Sequence, residues 1–166
     1  MGKPKTGGYD MIRSVLLAAA AVLVSAGAAA AANPPASPLA QLQLKGHWLC
    51  TQTGGQGGAY SEDWTTPLGG LWLRATDSVK GQTTQEHTVT YNKASSTWIV
   101  LDAFPTGAYD VLHGTGTANK IAFHAVYPKL ALAVTYNRLT PARYTIDVTG
   151  NIEGKKVATH ADCAKR

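Results

Sequence analysis

HTVTYNKASSTWIV, residues 87–100, holds two runs of β-branched and aromatic residues on either side of the polar tetrad Asn92-Lys93-Ala94-Ser95. Alternation with period two marks a strand, and a short polar break between two such runs joins them as an antiparallel hairpin. The pattern continues in both directions. Strands are expected over 46–53, 71–79, 83–91, 97–104, 109–115, 120–126, 130–138, 143–149 and 155–162, and turn residues at 79–82, 117–119 and 150–154 link several of them directly. No stretch from Gly46 onward keeps a helical period. The class is therefore all-β, an antiparallel meander of about 8–10 strands that can close into a barrel and so remove the edges that invite aggregation. The rival two-sheet sandwich needs longer crossovers than these turns provide.

Residues 15–32, VLLAAAAVLVSAGAAAAA, are apolar or small without a break, follow Arg13, and end in an alanine run that suits signal peptidase. Residues 1–32 are expected to be a signal peptide cut between Ala32 and Asn33, which makes the chain an exported, periplasmic or secreted protein. A retained anchor is not expected, because the segment is mostly alanine and no cationic stop-transfer cluster follows it. Met11 offers an alternative start with a shorter n-region. Residues 33–43, NPPASPLAQLQ, carry three prolines and are expected to form a linker without regular structure. The remaining 44–166 suffices for one domain with one core.

The whole chain carries a net charge of +5. From residue 33 onward it has twelve Lys and Arg against nine Asp and Glu, a net of +3 with the cations scattered. That distribution excludes a nucleic-acid stripe. Cys50 falls in the first expected strand and Cys163 at the last, so in an oxidising compartment they are expected to bond and fasten the seam of a closed sheet. Neither a metal pair nor a redox pair finds support, since the chain has no C-x-x-C. Residues 53–70, TGGQGGAYSEDWTTPLGG, with the acidic pair Glu62-Asp63 and the aromatics Tyr60 and Trp64, are expected to be one long loop, either a lid over a cavity or a loop whose Trp64 caps the core.

Gly46-His47-Trp48 resembles the G-x-W signature of lipocalin and calycin barrels. Residues 87–100 are similar to the strand-turn-strand of small bacterial lipocalin-like and nitrobindin-like domains of unassigned function. The resemblance implies that Trp48 plugs the closed end of the barrel while a basic side chain crosses its ring. Arg138, on one face with Leu130, Leu132, Val134 and Tyr136, is the expected partner, and Arg143 the alternative. The chain departs from the pattern in two places: 106–110 matches the T-D-Y motif only in fragments, and no helix follows the last strand.

Period-two spacing groups His87 with Val89 and Tyr91, and Tyr109 with Val111 and His113, and both faces read as inward. Trp98, Val100 and Asp102 share a face, but Ile99, Leu101 and Ala103 opposite are apolar too, so Asp102 is a buried acid only if Trp98 is buried. A lumen walled by Trp64, Trp72, Tyr91, Trp98 and Tyr109, with His87 and His113 as polar groups, would hold a small hydrophobic molecule. The nitrobindin-like resemblance implies a second reading, in which His87 or His113 ligates a haem iron. In a third, side chains fill the barrel and the protein is a scaffold or interaction module. No catalytic spacing is found: there is no G-x-S-x-G, no His-x-x-x-His pair and no phosphate loop.

Overall fold

The computed structural model describes residues 37–55, 57–152 and 154–166; the expected signal peptide and its cut between Ala32 and Asn33 lie outside them. Ten strands follow one short helix: α1 (Pro38–Leu42), β1 (Gly46–Thr53), β2 (Gly58–Thr65), β3 (Leu73–Val79), β4 (Gln82–Asn92), β5 (Thr97–Ala103), β6 (Tyr109–Thr117), β7 (Lys120–Tyr127), β8 (Ala131–Thr140), β9 (Arg143–Ile152) and β10 (Lys155–Lys165). Each strand pairs antiparallel with its neighbour in sequence, and β1 pairs with β10, so the meander closes into a barrel. This is the all-β barrel that the alternation and the G-x-W resemblance lead one to expect. Among the described residues no helix is long and apolar enough to cross a membrane.

Two expectations need correction. The segment 53–70 is not one long loop: residues 58–65 form β2, paired with β1 from Gly46 opposite Trp64 to Gln52 opposite Gly58. The glycines at 54, 55 and 57 belong to the turn that precedes β2 and Gly58 opens the strand, and their density conceals the period-two order of Tyr60, Glu62 and Trp64 behind them. Nor do the prolines keep 33–43 irregular throughout. Pro38 occupies the first turn of α1, where its missing N–H costs nothing, and Ser37 caps the helix by accepting from the Ala40 N–H at 3.2 Å. The helix exists to bury Leu39 and Leu42, which with Leu44 join the core. Each such leucine contributes about 1.5–3 kcal/mol on leaving water.

At that end of the barrel Trp48 is fully buried, and its indole N–H donates to the Leu44 carbonyl at 2.5 Å. The Trp48 ring packs against Tyr144 with centroids 4.8 Å apart, and Tyr144 against Tyr136 at 5.3 Å. The basic group over the Trp48 ring is Lys165, with its Nζ 5.5 Å from the centroid, rather than Arg138. Register explains the difference, since Lys165 lies directly opposite Trp48 across the seam. Gly46 is required beneath it: its φ is +125°, and a Cβ there would stand 2.9 Å from Lys165 Cε. Arg138 instead donates to the Gln41 carbonyl and to Gln43 Oε1, tying β8 to the residues of α1 and its C-terminal cap.

Cys50 and Cys163 are register partners across the seam and form a disulfide. The bond closes a loop spanning 113 positions. In the chain-entropy account a loop of that order is worth about 4.7 kcal/mol. The double variant Cys50→Ala/Cys163→Ala is therefore expected to unfold at lower denaturant, with a loss of about 3–5 kcal/mol measured by urea titration. A loss below about 1 kcal/mol would show that strand pairing alone holds the seam.

Candidate functional site

The barrel encloses a cavity of about 750 Å³. One wall is apolar, built from Val100, Leu112, Phe123, Leu132 and Val134 among others. Gly114 makes room on this side, since a Cβ at that position would fall 2.4 Å from the Phe123 ring. The other wall is acidic, and its residues come from five consecutive strands. Glu62 on β2 lies directly opposite Asp77 on β3, His87 on β4 opposite Asp102 on β5, and Asp102 opposite Asp110 on β6. Inward positions of neighbouring strands are thus occupied by a row of four carboxyl groups and one imidazole, all of them on the cavity lining. Two of the cross-strand pairs are like-charged, an arrangement that destabilises a sheet.

Hydrogen bonds organise the row. His87 bridges its neighbours, with Nε2 2.9 Å from Asp77 Oδ2 and Nδ1 2.5 Å from Asp102 Oδ1. Burial alone would lower the His87 pKa, but hydrogen bonds and charge from Asp102 and Asp77 outweigh it and raise the pKa well above the ordinary 6.5. Glu62 is buried and accepts at Oε2 from the Trp64 indole at 2.6 Å and from the Tyr144 hydroxyl. Its pKa is nevertheless raised, chiefly by burial and then by the charge of Asp77. Asp110 is pushed up to about 7, first by burial and then by Asp102. Burial, with the Glu62 and Asp77 charges, also raises the Tyr60 hydroxyl above its ordinary range. Three buried polar atoms among the described residues have no hydrogen-bond partner: Asp77 Oδ1, Asp110 Oδ1 and the Tyr136 hydroxyl. All three residues line the cavity.

Of the residues singled out in the sequence, Trp64 and His87 line this cavity, their rings stacked with centroids 6.3 Å apart and planes 10° from parallel. Trp98 is buried, which decides the face of β5 and makes Asp102 a buried acid as the alternation required. Trp98 and Tyr91 pack on each other at 4.9 Å, and the Trp98 indole donates to the Gly116 carbonyl at 3.2 Å. Neither residue belongs to the cavity lining, and nor does the half-buried Trp72 ahead of β3. Tyr109 and His113 correct the expected face of β6. Tyr109 is half-exposed and stacks on Tyr127 outside, and His113 stands edge-on to the exposed His124. The inward residues of β6 are Asp110, Leu112 and Gly114. Val111 and Leu112 are equally apolar, so alternation alone leaves the face undecided, and a register shift lies between them.

Asp77 and Tyr144 carry no reading in the sequence, and Glu62 and Asp110 enter there only through the 53–70 segment and the T-D-Y fragment at 106–110, not as lumen acids. Asp77 had a legible signal, because it follows Leu73 and Ala75 at period two on a face that is otherwise buried. Glu62 was hidden with the rest of β2.

No protein-family model matches the sequence, and no curated protein is significantly similar to it. Solved structures similar in fold include EF1p2_mFAP2b bound to DFHBI, at 12% identity and a TM-score of 0.37, covering 79% of this chain and 100% of that one. The S-type phycobiliprotein lyase CPES from Guillardia theta is similar at 12% identity and a TM-score of 0.46, covering 76% of this chain and 90% of that one.

Asp110, Glu62 and His87 all hold a proton more tightly in the folded chain than their ordinary values allow. A group with a raised folded pKa contributes stability below its unfolded pKa and loses it as pH rises through the folded one. For Asp110 that window runs from its ordinary 3.8 to about 7, and for His87 it opens at 6.5 and extends upward. The thermal midpoint is expected to be higher near about pH 5 than near about pH 8. Asp110→Asn should narrow the difference by raising the midpoint at the alkaline end. A midpoint that rises with pH over this range would show that the acidic row is not under the strain described.

Proposed function

We propose that the protein is exported and binds a small, mainly apolar molecule in the barrel lumen. The cavity of about 750 Å³ carries this reading. It lies within the usual range for small-molecule sites and combines an apolar wall with a few convergent polar groups. A barrel filled by its own side chains would not contain such a space, so the scaffold reading loses its main support. Haem ligation through His87 finds none either, because both ring nitrogens are engaged by aspartates, and His113 lies on the outer face. Export is supported by the alanine-rich segment at 15–32 and by the Cys50–Cys163 bond, which persists in oxidising compartments.

The test is titration with the neutral fluorescent probe N-phenyl-1-naphthylamine. Saturable binding is expected in the native protein. The pair Val134→Trp and Val148→Trp, neighbours across β8 and β9 that both line the cavity, should weaken it at least about tenfold without loss of β-sheet circular dichroism. Absence of saturable binding to the native protein, or undiminished binding to the folded double variant, would overturn the lumen reading.

A further inference from the structure

We infer that the ligand is an organic cation, an apolar body bearing an ammonium head, with the head seated against the acidic row of β2 to β6 and the body along the apolar wall. The inference rests on the lumen being the binding site and specifies what that site selects. The cavity lining holds four carboxyl groups, and the one cationic partner among them, His87, is consumed in bridging Asp77 to Asp102. The other cation on the lining is Lys80, which is exposed at the β3–β4 turn.

Asp77 is more than nine-tenths buried, yet one of its carboxylate oxygens has no donor, and the same is true of one oxygen of Asp110. A buried acceptor without a donor costs about 1–3 kcal/mol, and more when it is charged. An ammonium head among the acids would offset that cost where its N–H reaches one of these oxygens. The surrounding groups suit an ammonium in a second way, since Trp64, Tyr60 and Tyr136 also line the cavity. Aromatic faces attract a desolvated cation.

The arrangement does not suit a bare metal ion. Among the described residues the one trio of ligand-type side chains that converges within 4.8 Å is Cys50, Glu62 and Cys163, and its two sulfurs are bonded to each other. The acids of the row are spread over β2, β3, β5 and β6, so they fit a head group that lies among them better than an ion that must be chelated.

The experiment compares three probes with the same ten-carbon chain, decylammonium, 1-decanol and decanoate, by displacement of the naphthylamine dye from the full-length mature protein. It is run near about pH 7.5, where the amine is still protonated. Decylammonium is expected to bind at least about tenfold more tightly than decanol, and decanoate most weakly. Asp77→Asn should bring the ammonium to within about threefold of decanol while leaving decanol unchanged. Asp110→Asn, at a half-buried position that tolerates substitution more readily, should reduce the same ratio should Asp77→Asn fail to fold. Equal affinity for decylammonium and decanol, or preference for decanoate, would overturn the cation while leaving the lumen reading intact. Dye binding that none of the three displaces would overturn the cation as well, and failure of the dye itself to bind would remove the lumen reading beneath it.

Discussion

The lumen exists because β1 and β10 meet. In a meander every other strand pair is enforced by a short turn, but the seam joins residues at opposite ends of the domain, with the full loop-closure entropy against it. Three interactions at one level of the barrel oppose that entropy. Cys50 and Cys163 are bonded, Trp48 faces Lys165 two residues along, and the Arg166 N–H donates to the His47 carbonyl at 2.9 Å. Arg143 on β9 pairs with Asp162 on β10 beside them, an exposed contact that aligns the strands more than it stabilises them. Without the seam the row of acids would lie on an open sheet in water, where neither their burial nor their mutual repulsion would arise.

The same end of the barrel couples the seam to the site. Trp48 packs on Tyr144, Tyr144 donates its hydroxyl to Glu62, and Glu62 lies opposite Asp77. Sealing of the closed end and placement of the first acid are thus carried by contiguous side chains. Tyr60 and Glu62 also approach the Cys163 sulfur, each at 3.9 Å, so the disulfide forms part of the floor beneath the acidic wall. The residues that look purely structural in the sequence and those that carry the site share one packed cluster.

How much of this could be read beforehand depended on whether alternation was ambiguous. Residues 87–100 carry a hairpin with His87 and Val89 on one face, and the Cys50–Cys163 bond follows from the closure argument. On β5 and β6 both faces are apolar, and nothing local separates Leu101 from Val100 or Val111 from Leu112. The decision there is tertiary: Phe123 needs the space left by Gly114, and that fixes which side of β6 is inside. On β2 the failure had a different cause, because glycines that form a turn dominate the composition of the window and conceal a short strand. The acidic row was out of reach for a third reason. Its members are far apart in sequence and become neighbours only through the register of five strands, which no single stretch encodes.

A buried row of like charges is a poor way to stabilise a sheet, and the chain does little to relieve it. His87 offsets two of the four carboxyl groups, and Trp64 and Tyr144 solvate a third through Glu62. Asp110 is relieved by its proton, its pKa pushed up to about 7 by burial and by Asp102. Apolar residues at these inward positions would fold at least as well, since replacing buried charges by well-packed hydrophobic groups is often neutral or stabilising. Local conflicts of this kind concentrate where a site must be ready for something other than its own backbone. The acids are confined to β2 through β6, while the lining from β7, β8 and β9 is mainly apolar, with Tyr136 and Tyr144 its hydroxyl-bearing members. That asymmetry gives the lumen a direction, with one side suited to a charged head and the other to a hydrocarbon body.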